Sequence, residues 1–451
     1  MKTLLITIDA WRASHASFAP DAAEAYTPAL ASFAEDGTVF TQAVSHGPAT
    51  PYAFPALFSS TLPLDHGGYE RISPDRTLVS ERLQAAGWSC VGVHGNPWLG
   101  AKYGYGRGYD FYEDVGEFGL PLFDDTREFL IDRFGLDHPV YRAAQTLYRH
   151  AQTPLQRIRG GPDEIDVAVR ALETGADDRF VWTHLLTPHA PYTPPKRHRE
   201  AMGVPELSTS PTALVTRAQH DPGVLSSRER EAVKRLYAAS VRHADERLRP
   251  LLNAVDDETL VVVTADHGEA LFEHGQLGHE PCLYDELIRV PLLIRPPADA
   301  TVGARTVDRQ VQHIDVAPTI LDYAGLSPPG TFAGRSLRPA IEGDGLDDRL
   351  AISEVASTAA TPGQINESAV QIGVRSPERK LLLDADGGRY GFDLRDDPGE
   401  ERPSREPSGA EWRSFEAALD ARLDAIDLSG AVAAERDADV ERRLQDLGYL
   451  D

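Results

Sequence analysis

Short apolar runs alternate along the chain with longer stretches of helical periodicity. Most of the runs at 3–8, 89–93, 180–186, 260–264 and 290–294 are continuous apolar stretches. That pattern predicts central strands covered on both faces rather than half-exposed ones. Helices are predicted over 27–35, 75–86, 163–173, Ser227–Ala254 and Val316–Tyr323, with Asp315 placed to cap the last. Strands alternating with helices in this way specify an α/β fold built on a largely parallel sheet. Two Pro-interrupted stretches, 117–176 and 196–226, give no sharp element and are expected to be insertions that cover a site. Beyond about residue 345 the character changes. Residues 373–383 and 390–394 suggest a small antiparallel sheet, followed by the turn-rich 395–409 and helices near 410–426 and 431–447. The expected organisation is a catalytic domain over 1–345 and a smaller subdomain over 346–451. There is no internal repeat or low-complexity segment.

Polar residues collect where these strands end. The first strand runs into Asp9, the second into His94-Gly95-Asn96, the third carries His184 and leads to His189, and the fourth leads to Asp266-His267-Gly268-Glu269, then His274 and His279. Ligands of open α/β sheets bind beyond the carboxyl ends of the strands, so four strands deliver Asp and His to one edge. Asp266 and His267 stand on a turn directly after a Val-rich strand, where adjacent side chains can converge on one ion. A carboxylate plus an imidazole suits zinc, manganese or iron better than calcium alone. Glu269 is read as supporting the site rather than binding metal, and His94, His274 and His66 as structural. Thr50 precedes Pro51, which suits a first helical position, so Thr50 is expected to be the N-cap of an apolar helix. On its own a capping threonine carries no chemistry; its position at a helix start, where anions are favoured, makes it a candidate.

Charge narrows the partners. The 451 residues contain 70 Asp and Glu against 45 Lys and Arg, a formal net charge of −25. Without a basic run such a chain is a poor counterion for a phosphate backbone, which excludes nucleic acid as the main partner. Only Lys2, Lys102, Lys196, Lys234 and Lys380 are lysines; every other cation is arginine. A strongly acidic, Lys-poor surface suits a halophilic setting in which salt screens self-repulsion, and a GC-rich coding sequence is the alternative source of the same bias. Cys90 and Cys282 are the only cysteines, so neither a disulfide framework nor a Cys-based zinc site is expected. The apolar start before Asp9 is too short for a signal peptide, and no window reaches the ~18 apolar residues of a membrane span. The expected location is cytoplasmic.

Taken together, these segments resemble the sulfatase family of the alkaline-phosphatase-like superfamily. The strand into Asp9 is similar to that family's first metal strand. TPYAFPALFSSTLPLDHGG resembles its nucleophile helix, GWSCVGVHGNPWLG a substrate-binding segment, and THLLTPHAPY its histidine-bearing strand end. TADHGE with GHEPCLYDELIRVPLLI resembles its second metal segment, and HIDVAPTILDYAGL, FAGRSLRP, GFDLRDDPGEE and RRLQDLGYLD also match in order. The resemblance implies a three-layer α/β/α sandwich with a mostly parallel central sheet and a smaller C-terminal α+β subdomain. The chain departs from the family at several positions. Thr50 stands where sulfatases carry the Cys or Ser that becomes formylglycine, and Phe54 where they carry Arg. Ala10 replaces a second metal Asp, Asn96 and Trp98 replace Lys and His, and His279 replaces Lys. A threonine cannot form the same aldehyde. It is similar to the nucleophile of superfamily members that transfer or hydrolyse phosphoryl groups, such as phosphoglycerol transferases.

The resemblance and the residues together imply one divalent metal, Mn, Zn or Ca, held by Asp9, Thr50, Asp266 and His267. Thr50 would attack a tetrahedral ester in line. His189 and His279 would bind the oxyanion or protonate the leaving oxygen, with Asn96 on the substrate and His184 either on the substrate or, as a buried strand histidine, orienting a neighbour. The substrate expected is a small-molecule or glycan anionic ester. Three readings remain open: a sulfate-ester hydrolase, a phosphodiesterase or phosphoglycerol-type transferase using the same site, and a non-catalytic anion-binding homologue.

Overall fold

The computed structural model describes residues 1–19, 22, 24–69, 71–115, 163–174, 177–303, 305–358 and 365–426. The helix expected at 431–447 and most of the 117–176 stretch lie outside them.

Strands β1 (Lys2–Ile8), β2 (Thr38–Val44), β3 (Ser89–His94), β4 (Phe111–Asp114), β5 (Arg179–Leu185), β6 (Thr259–Ala265), β9 (Arg289–Arg295) and β10 (Thr306–Gln312) form one sheet; β7 (Ala270–Leu271) and β8 (Leu277–Gly278) make a separate hairpin. The sheet order is β10-β2-β9-β6-β1-β5-β3-β4. All pairings are parallel except the two made by β9. The five runs singled out in the sequence are β1, β3, β5, β6 and β9. Strands β2 and β10 were not among them, because TVFTQAV and TVDRQVQ interleave polar residues with apolar ones. The last of these is an edge strand, so its exposed positions carry no apolar signal.

Register explains why the site lies where it does. Ile8 of β1 pairs with Leu185 of β5 and Ala265 of β6, and Thr7 pairs with His184. The chain therefore leaves β1 and β6 at the same level, so that Asp9 and Asp266 emerge side by side. The helices divide into two layers. The helices Pro28–Ala34, Glu164–Glu173, Lys196–Ala201 and Pro211–His220 pack on the long helix Ser227–Ala254. The helices Thr50–Ser59, Val79–Ala85, Val316–Tyr323 and Arg338–Glu342 pack together as the other layer. Two of them, Lys196–Ala201 and Pro211–His220, fill the second stretch that gave no sharp element.

Three sequence expectations are corrected. The helix foreseen over 75–86 begins at Val79, with the Glu81 carboxylate accepting from the Leu78 N–H. Arg76 lies outside it because its buried guanidinium donates to the carbonyls of Leu62, Pro63, Asp65 and Gly68, which fixes the loop after the nucleophile-type helix. Asp315 does not cap Val316–Tyr323. It is the last residue of a one-turn 3-10 helix, and its carboxylate accepts from the N–H groups of Gln312 and Arg335. Thr50 is the first helical residue, not the N-cap; Ala49 holds that place in extended conformation.

The C-terminal part is a five-stranded antiparallel sheet in the order β11 (Ala351–Thr358), β12 (Ile365–Arg375), β13 (Arg379–Leu383), β14 (Arg389–Asp393) and β15 (Ser404–Arg405). The 373–383 stretch is the β12–β13 turn and its flanks. Val355, Ile372, Leu381 and Phe392 of this sheet, with Trp412, Phe415 and Leu419 from the helix Arg413–Ala425 and its start, pack against Tyr52 and Leu64. The apolar contact thus joins the C-terminal sheet to the helix that begins with Thr50. No helix among the described residues is long and apolar enough to cross a membrane.

Candidate active site

Thr50 enters the site as the first residue of the Thr50–Ser59 helix, all of whose residues are buried. Its hydroxyl donates to Asp266 Oδ2 at 2.8 Å and accepts from Asn96 Nδ2 at 3.2 Å. Asn96 is fixed by its other end, because Oδ1 accepts from the Trp98 N–H at 3.0 Å. Its amide nitrogen therefore serves Thr50 and also Asp9 Oδ2, at 2.9 Å. Asp9, Thr50, Asn96, His184, Asp266 and His267 are all fully buried. Residues 216 positions apart in sequence, Thr50 and Asp266, thus meet through one hydrogen bond.

Asp266 is held by backbone donors. Its Oδ1 accepts from the N–H groups of Ala10, at 3.2 Å, and His267, at 2.8 Å. Ala10 adopts a left-handed backbone at φ 53°, and its carbonyl accepts from the Tyr237 hydroxyl. At the position where a second carboxylate was compared, the chain supplies a backbone N–H. Gly268 is required for the turn: a Cβ there would lie 2.0 Å from the Glu286 carbonyl oxygen.

The histidines are fixed at one ring nitrogen each. His267 Nδ1 meets the Gly268 carbonyl at 2.8 Å, His189 Nδ1 meets the Ala190 carbonyl at 2.7 Å, and His279 Nδ1 meets Glu269 Oε2 at 2.9 Å. A nitrogen facing a carbonyl or carboxylate must carry the proton, so in each neutral ring Nε2 is the acceptor. His184 reaches the same state differently. Thr7 Oγ1 accepts from Trp182 Nε1 at 3.1 Å and has the Thr183 carbonyl at 3.3 Å for its own proton. Its remaining lone pair faces His184 Nδ1 at 3.0 Å, which makes Nδ1 the donor and Nε2 the lone-pair side.

These lone pairs converge on carboxylates. His267 Nε2 is buried without a hydrogen bond, 3.5 Å from Asp9 Oδ1 and 3.6 Å from Asp266 Oδ2. His184 Nε2 lies 3.3 Å from Asp9 Oδ2. Among the described residues, Asp9, His184 and Asp266 form the one group whose ligand-type atoms all lie within 4.8 Å of one another. Oxygen anions and imidazole nitrogens facing each other in a dry site call for positive charge between them, a proton on the His267 ring or a divalent ion, and the mixed oxygen and nitrogen set fits a divalent transition metal. Electrostatics point the same way. Burial alone would depress His267, yet Asp266 and Asp9 outweigh it and push the imidazole up to about 9. Burial would raise Asp9, but the surrounding His189, His184 and His267 hold it well below the usual carboxylate range. Asp266 is raised by burial, with the negative charge of Asp9 adding to it. His184, grouped from sequence with the substrate-binding residues, belongs geometrically with this cation-seeking set.

His189 and His279 flank the cluster. Their ring centroids are 5.0 Å apart, and the His279 ring lies 4.6 Å from that of His267. Burial lowers the His189 imidazole, which favours its neutral form despite Asp9 nearby. The other conspicuous histidines fall elsewhere: His94 packs between Tyr112 and Trp182 at the level of β3, and His274 stacks on Tyr284. Phe54, one turn after Thr50, fills an aromatic contact with Phe58, Trp182 and His184. Tyr192, Thr7 and Trp182, which orient site residues, were not singled out from sequence; only the tertiary contacts give an isolated tyrosine or threonine a partner.

The Sulfatase family profile matches residues 2–326, and a second profile, N-sulphoglucosamine sulphohydrolase, C-terminal, matches residues 273–403. An N-acetylglucosamine-6-O-sulfatase of Bacteroides thetaiotaomicron is 38% identical over 114 residues, 24% of this chain and 20% of that protein. The chain therefore matches about a fifth of that relative's length. Among solved structures, the phosphonate monoester hydrolase of Agrobacterium radiobacter superposes with a TM-score of 0.68 at 18% identity, covering 96% of this chain and 100% of its own. A protein solved with its substrate D-glucosamine-2-N,6-O-disulfate gives a TM-score of 0.67 at 18% identity, covering 94% and 96%. These structures share the fold. A profile that spans from the first strand through the second metal-type segment establishes the relationship: the chain belongs to the sulfatase family of the alkaline-phosphatase-like superfamily.

Proposed function

We propose that this chain is a metal-dependent sulfatase-family hydrolase that cleaves a sulfate ester of a small molecule or glycan with Thr50 as nucleophile. The observation that carries the reading is the Thr50 hydroxyl, buried between Asp266 Oδ2 and Asn96 Nδ2 at the edge of a cation-seeking cluster. Asp9, Asp266 and His267, with Thr50 Oγ1 and with His184 alongside, would hold one divalent ion, which when bound supplies positive charge for the ester oxygens and lowers the hydroxyl pKa.

The rest falls to the chain's own groups. The proton of Thr50 has Asp266 Oδ2 as its acceptor at 2.8 Å. Thr50 Oγ1 attacks the sulfur in line, the bond from sulfur to the ester oxygen breaks, and the departing oxygen takes the Nε2 proton of His189 or His279 in its doubly protonated form, which leaves that ring neutral. Asn96 Nδ2 donates to Thr50 Oγ1 and so would stabilise that oxygen as it departs in the second displacement. Water then gives a proton to the neutral imidazole and attacks the sulfur, the bond to Thr50 Oγ1 breaks, Oγ1 recovers the proton held at Asp266 Oδ2, and sulfate leaves with the threonine restored. Threonine offers no aldehyde, so release must follow this second displacement.

A second reading has its own support. Thr50 and His267 suit phosphoryl transfer through the same two displacements, and a neighbour in fold is a phosphonate monoester hydrolase. The substrate would then be a phosphodiester or phosphonate monoester. Parallel assays on aryl sulfate, aryl phosphate, phosphodiester and phosphonate esters, with Thr50→Ala as control, decide the matter. Turnover of the aryl sulfate that Thr50→Ala abolishes supports the sulfatase reading. Preference for a phosphodiester or phosphonate moves the chain to the second. No Thr50-dependent turnover of any ester leaves the non-catalytic anion-binding reading.

A further inference from the structure

We propose that Glu269 is a positioning residue that fixes the ring of His279 and, through Tyr192, its spacing from His189. This inference rests on the reading that His279 faces the departing oxygen of the ester.

Glu269 and Tyr192 are both fully buried. One carboxylate oxygen of Glu269, Oε1, accepts from the Tyr192 hydroxyl, and the other, Oε2, meets His279 Nδ1 at 2.9 Å. Tyr192 follows His189 by three residues on the same loop after β5. A single buried carboxylate therefore ties the segment bearing His189 to the segment bearing His279, whose rings stand 5.0 Å apart. The carboxylate is itself fixed. Glu269 N donates to the Glu286 carbonyl at 3.0 Å, Gly268 N to the Leu287 carbonyl at 2.7 Å, and the Tyr192 ring packs edge-on against Tyr237. Tyr237 in turn donates to the carbonyl of Ala10, next to Asp9.

The physical consequence is orientation. A carboxylate at Nδ1 selects the tautomer protonated there and presents Nε2 on the opposite side of the ring, beside His267 and His189. Without it, Nδ1 loses the carboxylate that selects its proton, and the balance shifts toward the other tautomer. A family lysine needs no such partner, because an ammonium has no tautomer and no face to select. A histidine at position 279 does.

The test compares Glu269→Gln, Glu269→Ala and Tyr192→Phe with the wild type in the metal-loaded full chain. Two readouts are used: kcat for a series of aryl and alkyl esters of graded leaving-group acidity, and the tautomer of His279 from long-range proton–nitrogen NMR of histidine-labelled protein. Glu269→Ala is expected to lower kcat by about 10²–10³ on alkyl esters and by less than about tenfold on nitrophenyl esters, with KM little changed. Glu269→Gln, whose amide oxygen still accepts from Nδ1, should recover at least about tenfold of that loss. Tyr192→Phe should fall between. The NMR spectrum should show His279 protonated at Nδ1 in the wild type and mixed in Glu269→Ala. An equal loss on all leaving groups, no rescue by Gln, or an unchanged His279 tautomer in Glu269→Ala overturns the proposal. If the wild type turns over no ester, the functional reading fails while the tautomer comparison still decides whether Glu269 sets the ring.

Discussion

The Thr50 hydroxyl donates to Asp266 Oδ2 at 2.8 Å, and both residues are fully buried. Asp266 is raised by burial, which suits it to accept the proton that Thr50 donates to it. The pairing defines the reactive atom and leads to the first prediction. Thr50→Ala removes the nucleophile and should reduce kcat by at least about 10³, the scale on which a lost catalytic group acts, while Thr50→Ser should retain measurable turnover. Steady-state assays on the best ester check both. Equal activity in Thr50→Ala would contradict the assignment.

Metal dependence gives the second. Chelation should abolish turnover and lower Tm, because an ion bound only by the folded chain stabilises it by mass action. Asp266→Ala should lose stoichiometric metal by elemental analysis. His184→Ala tests the less obvious member: its Nε2 lies 3.3 Å from Asp9 Oδ2, and its loss should weaken metal affinity by about 10–100-fold. Unchanged affinity would return His184 to a purely structural role.

The support behind the site makes a third. Lys380 of β13 is fully buried between Asp285 Oδ1, at 2.8 Å, and Glu400 Oε1, at 2.6 Å, and Arg375 also binds Asp285. Asp285 opens the short helix Asp285–Ile288, whose carbonyls at Glu286 and Leu287 receive the N–H groups of Glu269 and Gly268. Lys380→Ala leaves Glu400 without its cation and Asp285 with Arg375 alone, and should cost about 3–5 kcal/mol in denaturant unfolding. Lys380→Met in a chain also carrying Glu400→Gln should recover part of that loss.

A fourth concerns pH. Burial pushes the Glu286 carboxyl up to about 7, with Glu273 adding to it. In the unfolded chain the same group ionises near its ordinary value. Between those two pH values the folded state holds the proton and the unfolded state has lost it, so stability falls as pH rises through that window. The drop amounts to no more than about 3 kcal/mol. Glu286→Gln should flatten the decline between roughly pH 4.5 and 7. An unaltered slope in urea titrations across that range would show that Glu286 is not its source.

Much of this site is legible in the chain because chemistry and topology coincide. Strands rich in Val and Ile end in Asp9, Asn96, His189 and Asp266, and parallel register places those ends together. The sequence could not show that Thr50 bonds Asp266 rather than capping its own helix. A cap is a local event, whereas that bond depends on β1 and β6 leaving the sheet at one level. His184 was ambiguous for a related reason: its tautomer is set by Thr7 and Trp182 on two different strands. Strands β2 and β10 escaped notice because their outer positions are polar. Asp315, which sits well for a cap, is drawn instead to the N–H groups of Gln312 and Arg335 and to the Arg349 guanidinium.

The central claim is that one cation gathers Asp9, Thr50, Asp266 and His267, and anomalous diffraction from crystals grown with manganese or zinc tests it most directly. The account predicts a single strong peak within about 2.0–2.4 Å of Thr50 Oγ1, both aspartate carboxylates and His267 Nε2. A peak that leaves Thr50 Oγ1 outside coordination distance, or that lies away from Asp9 and Asp266, would contradict it.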